Sequence, residues 1–486
     1  MKRIIFSALG ILMMVSVWGQ TLEAAKTELF NTNDTVARDM FLELLKTDTA
    51  NKVTIEYYLG VLHSYLQEDD MASLYLKKVV DAEPQSPLAY IAGGRIDLMM
   101  GDTIGAITKF KEALNIAEDN KAFIYLEVGN AYVNFTPYYL EAIRILKTAL
   151  SFDTTNSLCM LLLASVYAQQ GDEVHNALYL ANNLELLKKA RRQNNKLTVT
   201  WLREGGCLIE LADFDMQEIR GNDIAFTKIL QAINNDPLQH DELTALKAMP
   251  DSTIQNLLLD SAIASLNKAT TMSSVKLSNA WLLLGNAKYK RHHNPAEVIQ
   301  IYETAKILRG DKYYDACFNL GVVYNELNDA EHAIENLLRA FDLNPYRAET
   351  PYLLATSFSK LNRVEQVTYW LQKGFELRKP KGSDYYSVGT GFGKIGHNLD
   401  KAIQYLEKAI ALEPNTELYC EDLGVAYGLN GQYGKAIETA GKLVALNPNY
   451  APAYINLAAS YRNKGNNKKA DYYQSIYDKL IGGTKN

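Results

Sequence analysis

The sequence has few cysteines and histidines and lacks the motifs on which many enzymes and nucleic-acid-binding proteins depend. Its 486 residues include four cysteines and seven histidines, and 50 basic against 56 acidic residues give a net charge of -6. No broad basic stripe is present, which argues against DNA or RNA as a ligand. The motifs G-x-S-x-G, H-E-x-x-H and the P-loop are also absent, so no hydrolase, zinc-protease or nucleotide-phosphate site is predicted.

Only the N-terminal residues form a long apolar segment. Lys2-Arg3 precede an apolar run over residues 4–17, which is too short to span a bilayer comfortably. Small residues at the usual cleavage spacing predict a signal peptide over residues 1–19 and a mature chain that starts at Gln20. We therefore expect a periplasmic or secreted protein without a membrane span after cleavage. The alternative is an uncleaved leader that anchors the protein to a membrane.

A small residue returns about every 34 positions along the chain. It stands at Gly60, Gly94, Gly129 and Ala164, and again at Gly285, Gly321, Ala355, Thr390, Gly424 and Ala458. Self-similarity at this period is typical of stacked repeats, in which each unit buries its apolar surface against its neighbours. Such an array grows without one central core, and we expect contacts to reach only adjacent repeats.

Each repeat has the pattern of two helices joined by a turn. Apolar residues recur at helical spacing in two blocks, for example around Leu320 and around Leu337. Small residues such as Gly321 and Gly424 should let the paired helices approach closely. The turn glycines tolerate the left-handed conformation that ends a helix. These glycines are Gly101, Gly171, Gly431 and Gly465, and the predicted N-caps after the turns are Asp102, Asp172 and Asp329.

The repeat resembles the tetratricopeptide repeat family. The residues that carry the resemblance are Trp281-Leu284-Gly285 in one unit, Leu423-Gly424-Tyr427 with Ala436 and Pro448 in another, and Leu320-Gly321-Tyr324 with Ala333, Ala340 and Pro345 in a third. Ten clear units start near Val53, Pro87, Ala122, Ser157, Ser278, Tyr314, Ala348, Ser383, Glu417 and Ala451. The resemblance implies an all-α fold, a right-handed superhelical solenoid of stacked antiparallel helix pairs.

Three further units are weak. One starts near Gly19. A second starts near Thr198, and its second helix is predicted around Ile229 after about eight inserted residues. A third starts near Leu243, with a first helix broken at Pro250 and a second helix over residues 252–270. The chain is accordingly divided into a signal peptide (1–19), an N-terminal array (20–190), an irregular segment (191–277) and a C-terminal array (278–486).

The four cysteines do not predict disulfides. Cys159, Cys207, Cys317 and Cys420 lie more than one repeat apart, so contacts limited to adjacent repeats would keep them separate. We predict buried free thiols.

One stretch matches a cofactor motif. Gly391-Phe392-Gly393-Lys394-Ile395-Gly396 fits G-x-G-x-x-G, the dinucleotide fingerprint, which needs a strand before it and a helix that opens at it. The repeat register instead places the motif inside the first helix of a unit. We therefore expect no cofactor, no metal ion and no catalytic residue.

The resemblance implies that first helices line a concave, partner-binding surface. We predict a non-enzymatic scaffold or adaptor of the cell envelope that binds a protein or peptide. Aromatic and arginine side chains are the usual anchors of such partners, although the same side chains would also serve to pack one repeat against the next. The candidate contact residues are Tyr57, Tyr65, Arg95, Asn130, Tyr352, Lys394 and Arg462.

Two other functions stay open. The last helix, predicted over residues 470–481, carries Tyr472, Tyr473 and Tyr477 without a polar capping helix after it, so the protein could self-assemble into an envelope structure through this helix. The irregular segment 191–277 could instead be a ligand-binding or catalytic insertion.

Overall fold

The computed structural model describes residues 21–135, 138–173, 176–234, 238–272, 278–310, 312–394 and 398–482. All regular secondary structure within these ranges is α-helical. The predicted leader and Gln20 lie outside the described residues. The described chain forms two compact units that meet in sequence between His293 and Asn294. The four-segment division made from the sequence stays a prediction.

The first unit begins with five consecutive helix pairs. Their helices are α1 (Leu22–Phe30), α2 (Asp34–Thr47), α3 (Lys52–Tyr65), α4 (Asp69–Ala82), α5 (Pro87–Met99), α6 (Thr103–Asn115), α7 (Lys121–Phe135), α8 (Tyr139–Phe152), α9 (Ser157–Glu173) and α10 (Ala177–Gln193). Each odd-numbered helix, the first helix of its pair, packs against the second helix that follows it. The predicted stacking of antiparallel helix pairs is therefore confirmed.

A small residue on the first helix meets a large apolar side chain on the second. A Cβ placed on Gly60 would lie 2.6 Å from Leu76 Cγ, and one on Gly321 would lie 2.4 Å from Leu337 Cγ. Gly94 and Gly129 make the same contact with Phe110 and Leu146. A methyl group would push these helices apart. This confirms that the recurring glycine allows the paired helices to approach closely. Gly424 is different, because a Cβ there would meet nothing closer than 3.9 Å.

The centre of the first unit pairs in a way that the sequence did not predict. First helix α11 (Val199–Asp213) packs against α15 (Asp251–Met272). Three short helices lie between them in sequence, α12 (Met216–Gly221), α13 (Asp223–Ile233) and α14 (His240–Lys247). The predicted pairing of the helix after Thr198 with residues around Ile229 is therefore wrong, and so is the separate repeat near Leu243.

Gly205 identifies the true partner of α11. A Cβ on Gly205 would lie 2.4 Å from Leu266 Cγ on α15, which is the contact that the continuous pairs make. The inserted helix α13 packs against α10 instead. The side chain of Arg220 donates to Asp251 Oδ1 at 2.7 Å and to the carbonyl oxygen of Lys247 at 2.6 Å. The insertion is thus fastened to the start of α15, and helix α16 (Ser278–Lys290) continues the stack from α15.

The second unit contains α17 (Pro295–Arg309) and five further pairs. Their helices are α18 (Tyr314–Glu326), α19 (Ala330–Leu343), α20 (Glu349–Lys360), α21 (Val364–Leu377), α22 (Gly382–Lys394), α23 (Leu399–Leu412), α24 (Glu417–Leu429), α25 (Tyr433–Leu446), α26 (Ala451–Asn463) and α27 (Asn467–Gly482). Within these pairs the even-numbered helix is the first helix.

Several of the turns between paired helices contain a residue in the left-handed conformation. Gly101, Gly431 and Gly465 have φ of 82°, 73° and 81°, as predicted, and Asn328 and Asn362 reach φ of 60° and 55° without being glycine. Asparagine tolerates this conformation better than most residues because its short polar side chain bonds locally.

Two of the three predicted N-caps are confirmed. Asp102 accepts from the Gly105 N–H at 2.8 Å, and Asp329 accepts from the His332 N–H at 3.3 Å. Gly171 and Asp172 are exceptions to the predicted turn, because α9 continues through both of them to Glu173. The cap of α10 is Asn176, whose side chain accepts from the Leu178 N–H.

The cysteines are buried free thiols, as predicted. Burial raises the pKa of Cys159 to about 12, so this thiol stays protonated and unreactive at neutral pH. Within the ranges described above, none of the helices combines the length and apolar character needed to cross a membrane.

The turn conformation gives a first prediction. Gly431→Ala forces a Cβ into a left-handed turn and should lower the free energy of unfolding by about 1–2 kcal/mol. Gly441→Ala is the matched control, because Gly441 lies within α25 with open space around an added Cβ, and should raise stability by up to about 1 kcal/mol. Urea unfolding of both variants measures the difference. A loss of stability in both, or in neither, would contradict this account of the turn.

Candidate functional site

In the first unit, side chains from alternate first helices meet directly. Tyr57 and Tyr58 on α3 donate hydrogen bonds to the two carboxylate oxygens of Glu127 on α7, at 2.9 Å and 2.5 Å. Helix α5 lies between α3 and α7 in the stack, so these bonds cross a strongly concave surface. We call the surface formed by the first helices of a unit its first-helix face.

A buried charge pair completes this cluster. Arg95 on α5 donates from Nε to Tyr57 Oη at 3.0 Å, and its Nη2 lies 3.9 Å from Glu127 Oε2. Arg95 is 2% exposed and Glu127 is fully buried. Burial, together with the Glu127 carboxylate, raises the pKa of Tyr58 well above its usual value. The phenol therefore remains a donor to the carboxylate at physiological pH.

The structure brings together the contact residues predicted in the N-terminal half. Tyr57 joins Arg95 through the bond described above, and Tyr65 Oη donates to Asn130 Oδ1 at 2.9 Å. Tyr57, Arg95 and Asn130 are buried and Tyr65 is half-buried. A partner role for these four residues stays a prediction, since in this conformation they bond within the chain. Sequence reasoning missed Glu127, although a lone acidic residue within the apolar run of α7 was a usable signal.

The contact residues predicted in the C-terminal half are separate from one another. Tyr352 is 3% exposed, and its hydroxyl donates to the carbonyl oxygen of Arg378 at 2.8 Å. Arg462 ends α26, with half of its side chain exposed and with Nη2 3.4 Å from Asp471 Oδ1. The side chain of Lys394 lies outside the described part of the chain. Partner contact at these three residues also stays a prediction.

The second unit presents an apolar stripe on a first helix. Leu418, Val425 and Leu429 on α24 are 49%, 39% and 68% exposed. Their spacing of seven and four residues places them on one side of the helix. Three exposed apolar side chains in a row are a stronger indication of a docking surface than the same residues scattered singly.

A cavity of about 210 Å³ lies beside this stripe, where α22, α23 and α24 meet. Its lining includes Gly389, Gly393, Leu399, Leu406, Val425 and Leu429. Gly393 follows Thr390 by three residues, and in sister pairs Tyr324 and Tyr427 follow Gly321 and Gly424 by the same interval. The cavity therefore lies where the other four pairs of the second unit carry an aromatic residue, which is Tyr324, Phe358, Tyr427 or Tyr461.

The cavity has one charged group in its lining. Asp422 lines it and accepts a hydrogen bond from Tyr386 Oη at 2.7 Å. Burial, with this carboxylate, raises the pKa of Tyr386 well above its usual value. The site thus offers an apolar recess with one satisfied acidic group at its edge, which suits binding rather than proton transfer.

The first glycine of the G-x-G-x-x-G stretch has a packing role. Gly391 and Gly393 lie inside α22, as the repeat register predicted, and Gly396 is outside the described residues. A Cβ on Gly391 would lie 1.9 Å from Ser359 Oγ on α20. The glycine allows α22 to approach α20 closely, and the strand that a dinucleotide site requires is missing from the described residues around it. In the same described ranges, no three His, Cys, Asp or Glu side chains converge as metal ligands would.

Comparison with known proteins supports the repeat assignment. The family described as tetratricopeptide repeat matches residues 314–347, 398–416 and 419–450. Anaphase-promoting complex subunit 3 of Schizosaccharomyces pombe is 23% identical over 154 residues, which cover 32% of this chain and 23% of that protein. The TPR repeat-containing protein MJ1428 of Methanocaldococcus jannaschii is 23% identical over 320 residues, which cover 61% of this chain and 52% of that protein.

The chain thus spans about half or less of these two curated relatives. Among solved structures, the APC/C hetero-tetramer Cut9-Hcn1 aligns with a TM-score of 0.36 at 16% identity, over 94% of this chain and 92% of that one.

The buried charge pair gives a second prediction. Glu127→Gln leaves the Arg95 charge buried without its carboxylate, and breaking such a pair should cost about 3–5 kcal/mol. Glu141→Gln is the control, because Glu141 pairs with Arg144 at the surface and should cost about 1 kcal/mol or less. Urea unfolding, with hydrogen exchange of peptides from α3 and α7, reports on the first unit separately. Equal costs for the two variants would show that the pair does not hold this face together.

Proposed function

Because this chain is a tetratricopeptide-repeat protein, we propose that it is a non-enzymatic scaffold or adaptor, and that a partner protein or peptide binds on the first-helix face of its second unit. The observation that carries this proposal is the exposed stripe of Leu418, Val425 and Leu429 beside an apolar cavity. A well-packed pocket flanked by apolar contacts is the usual anchor point of a protein interface.

The two units differ in how available their first-helix faces are. In the first unit, Tyr57, Arg95 and Glu127 bond to one another and are at most 2% exposed. In the second unit, by contrast, the side chain of Leu429 is 68% exposed. A partner can dock on α24 without first breaking buried hydrogen bonds, which would each cost free energy.

The shape of the cavity suggests what the partner inserts. Gly393 holds the repeat position at which two sister pairs carry Tyr324 and Tyr427. An aromatic side chain from the partner is the group whose size and flatness fit there, and aromatic residues are common anchors at interfaces. Arg462, with half of its side chain exposed two helices further along the stack, is available for an acidic group of the same partner.

Location in the cell envelope is part of the proposal. It rests on the basic, apolar and small-residue pattern of residues 1–19, which is typical of an export signal.

Self-assembly is a second candidate function, favoured by the last helix. Ala470 is the buried residue of α27 among those described, whereas Tyr472 is 61% exposed and Ile481 is 43% exposed. These exposed aromatic and apolar side chains offer a contact surface for another copy of the chain. Light scattering over a concentration series separates the two functions, because a monomeric adaptor keeps a constant mass and a self-assembling protein does not.

A third prediction tests the binding surface. A photo-crosslinking amino acid at Leu429 should capture a discrete set of proteins from the native cell envelope, identified by mass spectrometry. The same probe at Leu338, which is 38% exposed on second helix α19, should not capture them. Val425→Asp with Leu429→Asp should weaken partner binding at least tenfold, because a carboxylate would be desolvated in an apolar contact.

Leu338→Asp is the matched control for this double variant and should bind as the wild type does. Equal capture from both probe positions, or unchanged binding by the double variant, would reject the first-helix face of the second unit as the docking site. Turnover of a small molecule by the purified protein would reject the non-enzymatic assignment.

A further inference from the structure

Two second helices of the first unit carry exposed aliphatic side chains where sister helices carry acids. Ile104 on α6 is 80% exposed and Leu140 on α8 is 73% exposed, and each comes two positions after the N-cap of its helix. An acidic residue at this position is stabilised by the helix dipole. An exposed aliphatic residue gains neither that stabilisation nor burial, which indicates a use outside the fold. The corresponding residues of α19, α21 and α23 are Glu331, Glu365 and Asp400.

These two side chains belong to an apolar patch on the turns of consecutive pairs. Met100, the C-cap of α5, is 71% exposed, and Tyr138, the N-cap of α8, is 49% exposed. Helices α5 to α8 form two successive pairs of the stack, so the turn within each pair lies at the same edge of the unit. Apolar side chains that gather on one edge indicate a contact surface more strongly than scattered ones do.

A row of cations follows the patch along the same two helices. Lys111 comes seven residues after Ile104, and Lys147 comes seven residues after Leu140, and both lysines are exposed. Seven residues make nearly two helical turns, so each lysine lies on the same side of its helix as the aliphatic residue, about 10 Å further along. Arg144 lies between Leu140 and Lys147 on that side, with 60% of its side chain exposed.

The carboxylate within this row is neutralised by its neighbours. Arg144 Nε donates to Glu141 Oε2 at 2.9 Å. This hydrogen bond, together with the charges of Arg144 and Lys111, lowers the pKa of Glu141. Lys111 on α6 therefore acts on a carboxylate of α8, and the cations of the two helices form one group. Three cations around one carboxylate leave a net positive charge beside the apolar patch.

We propose that this surface, the α6–α8 ridge, binds an anionic lipid bilayer. Ile104 and Leu140 enter the boundary between headgroups and acyl chains, and the cations contact lipid phosphates. The separation of about 10 Å along each helix matches the depth of about 5–10 Å to which interfacial apolar groups are buried. Basic side chains at the surface add attraction to anionic lipids. The ridge lies on second helices and is separate from the α24 surface.

The exposure of the apolar side chains favours a bilayer over a protein partner. Side chains that are 71–80% exposed, such as Met100 and Ile104, stand clear of the surface around them. A protein partner would have to offer a well-packed pocket for each of them. A bilayer interface is fluid and accepts protruding side chains of any shape.

Vesicle binding tests the proposal. The chain from Gln20 keeps every described residue and omits the predicted leader, whose apolar run would bind lipid by itself. It should bind vesicles of phosphatidylcholine with phosphatidylglycerol at least tenfold more tightly than vesicles of phosphatidylcholine alone, as measured by flotation, because the cations are attracted to anionic lipid. Ile104→Ser with Leu140→Ser should weaken binding at least tenfold. Lys111→Gln with Lys147→Gln should remove the preference for the anionic vesicles.

The matched control is Ile307→Ser with Leu338→Ser. These residues are 71% and 38% exposed on second helices of the second unit, and the control should bind as the wild type does. All the substituted side chains are exposed, so the variants should fold. Equal binding to the two kinds of vesicle, an unchanged ridge variant, or an equal loss in the control would overturn the proposal.

Tryptophan fluorescence supplies an independent measurement. Leu140→Trp should add a signal that lipids brominated on their acyl chains quench, whereas Ile307→Trp should add one that they do not quench. Equal quenching at both positions would show that the ridge does not enter the bilayer. A photo-crosslinker at Leu140 that captures an acidic protein, while the chain does not float with anionic vesicles, would replace the lipid with a protein partner and overturn the proposal.

Discussion

The fold depends on one close contact, made between a small residue on each first helix and a large apolar side chain on its partner. At Gly60, Gly94, Gly129, Gly205 and Gly321, an added Cβ would lie 2.4–2.6 Å from that side chain, well inside van der Waals contact. The contact sets how closely two helices approach, and each pair then buries its remaining apolar surface against the pairs beside it. Stability is therefore distributed along the stack. The residue types in one pair can change while the packing of the helix pairs stays the same.

The close contact between paired helices is kept even where inserted residues interrupt the period of the sequence. Gly205 meets Leu266 although the inserted helices α12 to α14 separate them. Helical periodicity identified these segments as helices, but it cannot say which two helices pair, because pairing is decided by tertiary contact. The nearest helix that fits the pattern lies around Ile229 and is the predicted partner, but it packs on α10. Gly171 was misassigned for a related reason, because glycine permits a turn without requiring one.

The repeat register placed the candidate contact residues on first helices, but it could not give their exposure. Tyr57 and Arg95 are buried because alternate first helices touch across the concave face through Glu127, and curvature of that kind is not a local property of sequence. Helical periodicity likewise does not predict that the apolar side chains of the α24 stripe are exposed to solvent. The cavity, by contrast, has a signal in the sequence, since Gly393 stands where the other four pairs of the second unit carry tyrosine or phenylalanine.

The same packing of helix pairs thus forms two first-helix faces with opposite properties. In the first unit, a buried carboxylate bridges three helices, and such a group is tolerated only when its partners are fixed in place. In the second unit, glycines replace side chains, α22 approaches α20, and a recess opens on the opposite side of α22. A cavity lined by apolar side chains forfeits dispersion contacts that a matching ring would restore. A glycine in place of an aromatic residue therefore transfers a packing interaction from the chain itself to whatever binds it.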